Sequence, residues 1–342
     1  MGYKVLLPQA IAEAGNQLLL DAGHTLIAGK GFSTQEILED VIEHKPDAMI
    51  IRIATITREV IEANPNLKGI ARHGAGFDAI DIQACYDNGV QPVYAPVANS
   101  TSVAETAFLL MLECSRNVKI GRYCMVEDFY KAKLKVPKIQ LSGKTIGIVG
   151  CGNIGSRVAK RALAMEMNVL AYDPYKPAAD FPDGVEVVRD LDRIFKESDF
   201  VSMHCPPSPV TRNLVNKENL AKMKATAYLI NTARGAIVDE EALYEALKDG
   251  VIAGAGLDVL KSKPMDPNNP LLNMDNVYIN AHIGGAIAEA NVRASYFCAM
   301  GVNEVAAGEK PTWTIIPVDY KTAQTYTDTK KPDTKPAGLF DY

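Results

Sequence analysis

Short apolar runs alternate with amphipathic stretches along most of this chain, which predicts strands and helices in turn. In the first hundred residues the apolar runs 4–7, 25–28, 48–53, 67–72 and 92–94 read as strands, with helical stretches such as 34–43 and 58–63 between them. Residues 102–117 predict a strongly apolar helix that Ser100, Thr101 or Ser102 can cap. The stretch 118–141 is too charged for a core and reads as a helix or arm over the surface. Strands follow at 146–149, 169–172, 200–203, 228–230, 254–257 and 277–279, separated by helices at 190–197, 218–224 and 240–247. Residues 285–307 are helical and are expected to rejoin the first domain. Residues 321–342 have little to bury and read as a mobile polar tail.

The most informative segment turns through Gly150, Gly152 and Gly155 between two of these strands. Gly150 suits a tight turn, Gly152 lets the backbone approach a pyrophosphate, and Gly155 lets the next helix pack closely; the free N–H groups of that helix then face phosphate. Asp173, 18 residues beyond Gly155, stands at the tip of the second strand. A carboxylate there accepts from ribose hydroxyls and repels a 2′-phosphate, so the pattern points to NAD rather than NADP. Strand, glycine turn, helix, strand and acid occur together, in the order that a dinucleotide site requires.

Polar residues recur where the apolar runs stop. Asp173, His204, Arg234, Asp258 and His282 each close one, and in a parallel sheet those positions share one edge, where ligands bind. NAD chemistry on a small acid needs a cation for the carboxylate and a group that exchanges a proton. Arg234 can supply a bidentate fork and His282 can trade a proton near neutral pH. In the first domain Arg52 lies near the end of the run MIIRI; it either reaches a cleft or an anion, or packs its stem and turns its head to water. The turn RHGAGFD, 72–78, presents N–H groups that can hold a carboxylate, as an ordinary loop also would. His24 and His44 are expected at the surface, and His73 fits either place.

Length and charge narrow the class. A chain of 342 residues suggests about two domains, and 36 basic against 41 acidic residues leave no basic run for nucleic acid or an anionic membrane. No apolar stretch approaches the roughly 18 residues of a membrane helix, and the start lacks a secretory pattern. Six cysteines without CxxC spacing suit reduced thiols in the cytoplasm, and no metal site is expected.

The segments VANSTSVAE, GIVGCGNIGSRVA, HCPPSPVTRNL, LINTARGAIVDEEAL, AGAGLDV and NPLLNMDNVYINAHIGG resemble the D-isomer-specific 2-hydroxyacid dehydrogenases, the family of phosphoglycerate, glyoxylate and D-lactate dehydrogenases. The resemblance implies two doubly wound parallel-sheet α/β domains: a Rossmann NAD domain, 99–284, inserted into a smaller flavodoxin-like substrate domain, 1–98 with 285–320. It also implies a homodimer formed through the NAD domain. By matching motif, Asn153, Ile154, Asp173, His204, Cys205, Thr232, Ala233 and Gly284 would lie along NAD, and Asp258 would hold the nicotinamide amide. Arg234 would hold the substrate carboxylate, His282 would act as acid and base, and Arg52, Ala75 and Gly76 would face the substrate. One departure stands out: Lys263 occupies the position where the family carries a glutamate bonded to the catalytic histidine. An ammonium beside His282 would lower its pKa, where a carboxylate would raise it. Three readings stay open. Lys263 turns to solvent and a water or Asp266 orients His282; Lys263 binds a second anionic group on the substrate; or the protein binds NAD(H) without turnover, as a sensor or scaffold.

Overall fold

The computed structural model describes residues 2–134, 136–262 and 264–316. Lys263 and the tail 321–342 lie outside the described residues. The chain divides into two compact units: residues up to Asn99 with those from Ile287 onward, and Ser100–Ala286.

The first unit is a five-stranded parallel sheet of β1 (Lys4–Leu7), β2 (Thr25–Ala28), β3 (Ala48–Ile51), β4 (Gly69–Arg72) and β5 (Gln91–Tyr94), in the order β2-β1-β3-β4-β5. All four residues of β3 are buried, as expected of a parallel strand covered on both faces. β3 stops at Ile51, two residues short of the apolar run, so Arg52 lies just past the strand end. Local signals start the flanking helices: Ser33 and Glu36 form a reciprocal capping box before Thr34–His44, and Asp81 accepts from the Ala84 N–H before Ile82–Asp87. The helix Ala288–Ala306 packs in this unit against Glu13–Asp21, β4 and β5. A Cβ at Gly15 would lie 2.7 Å from the Ser295 carbonyl oxygen, so the two helices touch backbone to backbone there. His24 is buried rather than at the surface: one ring nitrogen accepts from the Tyr3 N–H (2.9 Å) and the other meets Asn303 Oδ1 (3.0 Å). Its partner is 279 residues away, which its polar neighbours in sequence do not reveal.

The second unit holds β6 (Thr145–Val149), β7 (Asn168–Tyr172), β8 (Glu186–Val187), β9 (Phe200–Met203), β10 (Tyr228–Asn231), β11 (Gly254–Leu257) and β12 (Val277–Ile279). All are parallel, in the order β12-β11-β10-β9-β6-β7-β8, so the sheet grows outward in both directions from β6 and β9. That reversal of order is the switch point at which an open parallel sheet receives ligands. β8, two residues long, is too short to leave a periodicity in the sequence. The helix Ser100–Arg116 lies against β10 and β11; a Cβ at Gly256 would stand 2.8 Å from Leu110 Cβ, so that glycine sets how closely the helix approaches. The stretch expected to form a helix or arm contains the helices Val118–Glu127 and Phe129–Leu134. They expose Tyr123, Met125, Val126, Phe129, Tyr130 and Leu134, with Val126 90% accessible.

Candidate active site

The glycine turn has the expected form. Gly150 adopts φ 90°, and a Cβ on it would lie 2.7 Å from the Cys205 backbone nitrogen. A Cβ on Gly155 would lie 2.1 Å from the Gly150 carbonyl oxygen, so the helix Asn153–Ala164 cannot seat against β6 with any larger residue there. Gly152 is different: an added Cβ meets nothing within 4 Å. The turn is therefore tight on the protein side and open on the other, and no side chain caps the twelve-residue helix that follows. Uncapped N–H groups above an open glycine fit a pyrophosphate.

Asp173 directly follows β7. Its Oδ2 accepts from the Cys151 N–H (2.9 Å) and its Oδ1 from the Tyr175 N–H (3.1 Å), which fixes the carboxylate against the glycine turn with lone pairs left for hydroxyl donors. His204 follows β9, with Nε2 2.8 Å from Ser202 Oγ and Nδ1 3.5 Å from Thr232 Oγ1; burial pushes its pKa down to about 3, so the ring is neutral. Cys205 and Ala233 are buried beside it.

Beyond β10, Asn231 shapes the turn that presents Arg234. This fully buried amide donates to the Arg234 carbonyl (2.9 Å) and accepts from the Ala233 N–H (3.0 Å). Arg234 itself donates from Nη1 to the Ala233 carbonyl (2.8 Å). The sequence reading passed over Asn231, although an asparagine ending an apolar strand before a turn is a usable signal.

The turn after β12 is anchored by Asp258, which is 1% accessible. Its Oδ1 accepts from the Ile283 N–H (3.0 Å) and its Oδ2 from the Gly284 N–H (3.1 Å), while its carbonyl accepts from the His282 N–H (2.8 Å). His282 sits at φ 56°, in the left-handed region that side chains other than glycine's rarely occupy. Three hydrogen bonds to one residue hold this strained, exposed histidine in place.

In the first unit the turn after β4 is built around Arg72. Its Nε donates to the Gly76 carbonyl (2.7 Å), and its Nη1 reaches the carbonyls of Arg52 (2.6 Å), His73 (2.9 Å) and Ile51 (3.3 Å). Arg52 donates to the Ala10 carbonyl (2.6 Å). His73 Nε2 lies 2.9 Å from Ser295 Oγ; burial, with Arg52 and Arg72 nearby, pushes its pKa down to about 4. Thus Arg52, Ala75 and Gly76 meet in one turn region, and Arg72, which the sequence reading did not single out, ties them together.

Comparison with known proteins agrees with this geometry. The sequence profile of the D-isomer specific 2-hydroxyacid dehydrogenase NAD binding domain matches residues 108–284. Hydroxypyruvate reductase of Thermotoga maritima is 42% identical over 85% of this chain and 94% of its own length. D-3-phosphoglycerate dehydrogenase of Methanocaldococcus jannaschii is 39% identical over 90% of this chain, which spans only 58% of that longer protein. The crystal structure of a glyoxylate reductase from Paecilomyes thermophila superposes with a TM-score of 0.83 at 28% identity, covering 92% of this chain and 98% of that one. The chain belongs to the D-isomer-specific 2-hydroxyacid dehydrogenases, NAD-dependent oxidoreductases that interconvert 2-hydroxy acids and 2-oxo acids.

Proposed function

We propose that the chain reduces a 2-oxo acid of the size of glyoxylate or hydroxypyruvate to its D-2-hydroxy acid, with NADH as coenzyme. The observation that carries this reading is the anchored turn at His282: an exposed imidazole in a strained backbone conformation, held by Asp258, at the same edge of the parallel sheet as Asp173, His204 and Arg234. Two of the relatives that match this chain over nearly their whole length are named for such substrates, hydroxypyruvate and glyoxylate.

Each group then has a task. Bound nicotinamide supplies the hydride. Gly150, Gly152, Asn153, Ile154 and Gly155 hold the pyrophosphate, Asp173 the adenosine ribose, and His204, Cys205, Thr232, Ala233 and Gly284 line the remainder. The Asp258 carboxylate holds the nicotinamide amide. The planar guanidinium of Arg234 grips the substrate carboxylate. His282 gives its proton to the carbonyl oxygen during reduction and removes it during oxidation. The N–H groups of Ala75 and Gly76, with Arg52, complete the substrate contacts, so the first unit is the substrate domain. With Lys263 in place of a carboxylate, His282 takes its orientation from the anchored backbone.

The exposed apolar residues of 118–134 support a homodimer, as does an adjoining cavity of about 860 Å³ lined by Val118, Tyr123, Val126, Leu272, Tyr278 and other residues. The cysteines are free and buried, which supports a reducing, cytoplasmic setting; among the described residues no helix is long and apolar enough to cross a membrane. The test is NADH consumption with glyoxylate, hydroxypyruvate and 3-phosphohydroxypyruvate. The small acids should turn over with the higher kcat/KM. Preference for the phosphorylated acid would replace this reading with one in which a second anion is required, and no turnover with any of the three would defeat it.

A further inference from the structure

β3 ends at Ile51, so Arg52 lies where the sheet no longer dictates its conformation, and the loop after β1 holds it there instead. The Arg52 N–H donates to Gln9 Oε1 (3.2 Å), and its Nη1 donates to the carbonyl of Ala10, the next residue along that loop. The same Gln9 amide donates from Nε2 to the Gly31 carbonyl (2.9 Å), in the turn after β2. That turn has an anchor of its own. The Lys30 N–H donates to Oδ2 of the fully buried Asp40 (2.8 Å), and a Cβ on Gly29 would stand 2.6 Å from the same oxygen. The far end of the Gln9 loop is fixed as well, since the Ala12 N–H donates to Ser295 Oγ (2.9 Å). One side chain therefore joins the ends of β1, β2 and β3. Of its two partners one is a donor and the other an acceptor, so a primary amide serves both, whereas an ionised carboxylate or an apolar chain does not.

We propose that Gln9 is a positioning residue for the reduction, acting through Arg52 rather than on the substrate itself. The amide fixes the Arg52 backbone, and the loop that it anchors presents the Ala10 carbonyl to the guanidinium. The proposal rests on the placement of Arg52 against the 2-oxo acid. With the amide removed, Arg52 keeps its charge but loses its fixed direction, and the substrate must order it on binding. That cost falls on substrate affinity and leaves the bound complex to react near its usual rate, so KM rises while kcat holds.

The test is a double-mutant cycle on the full chain, with KM and kcat for hydroxypyruvate and the Kd for NADH measured in each variant. Gln9→Met, of matching length without the amide, should raise KM about tenfold, with kcat and the NADH Kd within about threefold of wild type. Arg52→Met should raise KM about 30-fold, and adding Gln9→Met to it should raise KM by less than about twofold more. Gln9→Leu guards against a packing effect of methionine and should give the same split as Gln9→Met. A wild-type KM in both Gln9 variants would overturn the proposal, as would effects that multiply toward about 300-fold in the double variant, because Gln9 would then act without Arg52. Matching losses of kcat and NADH affinity in both Gln9 variants would overturn it too, in favour of a general brace. A wild-type KM in Arg52→Met would overturn the placement of Arg52 together with the proposal.

Discussion

Two glycine-bearing turns follow parallel strands in this protein, and they achieve order by opposite means. The turn at 150–155 is shaped by what is missing: no Cβ on Gly150 or Gly155, where backbone lies against backbone, and none on Gly152, where the surface opens. The turn at 72–76 is shaped by what is added, a guanidinium that gathers four carbonyl oxygens, two from its own turn and two from the end of β3. Absent side chains leave a fixed spacing in the sequence. An inserted cation leaves only an arginine among others. The difference teaches that a site can be equally well built and yet unequally legible.

The largest effect expected from this comparison lies in the first turn. Gly155→Ala places a methyl 2.1 Å from the Gly150 carbonyl oxygen, and thermal or denaturant unfolding should show a loss of about 3 kcal/mol or more. Gly152→Ala enters open space, so stability should stay within about 0.5 kcal/mol while NADH affinity, measured by fluorescence, falls about tenfold or more. Equal stability losses in the two variants would show that Gly152 is held for packing rather than for a ligand.

The second turn should fail in a different currency. Arg72→Met removes the donors that fix Gly76 and the Arg52 backbone, and KM for the 2-oxo acid should rise about 100-fold with NADH affinity unchanged. Arg72→Lys should not restore it, because an ammonium cannot reproduce the planar fork. Parallel loss of NADH affinity would mean that the effect comes from general unfolding.

A smaller effect concerns His282. Asp258→Asn replaces one of the two acceptor oxygens on the Ile283 and Gly284 N–H groups with a donor, and kcat should fall about tenfold to 100-fold as the left-handed turn relaxes. An unchanged kcat would remove Asp258 from any part in holding the imidazole.

The smallest effect is on stability against pH. His73 has a folded-state pKa of about 4, below its unfolded value of about 6.5, so the unfolded chain binds the proton more readily between those values. The contribution of the neutral ring is thus full above about pH 6.5 and is lost as pH falls toward 4, with a ceiling of about 3 kcal/mol. His73→Asn should flatten that part of the stability profile; an unaltered slope would place the titration elsewhere, with His204 the next group to replace.

The fold was legible wherever the instruction was local. β9 and β11 coincide with their apolar runs because a strand buried on both faces is a continuous run; β1, β2 and β12 match theirs as well, although β2 is an edge strand with none of its residues buried. The glycine turn and Asp173 were legible for the same reason. Arg52 reads as lying near the end of a strand, whereas β3 stops at Ile51 and leaves Arg52 beyond it, where it meets Ala10. His24 takes its Asn303 partner, and Arg72 its bonds to the Ile51 and Arg52 carbonyls, from segments that folding brings together, and no spacing in the sequence encodes those contacts. Asn231 lies between these cases, since its partners are two and three residues away.

The central claim, that Arg234 grips the substrate and not the coenzyme, is tested most directly by Arg234→Gln, with NADH binding and reduction of hydroxypyruvate measured on the same preparation. On that assignment kcat/KM should fall by about 1,000-fold or more while the Kd for NADH changes by less than about threefold. Near-normal turnover, or matching losses in both quantities, would contradict it.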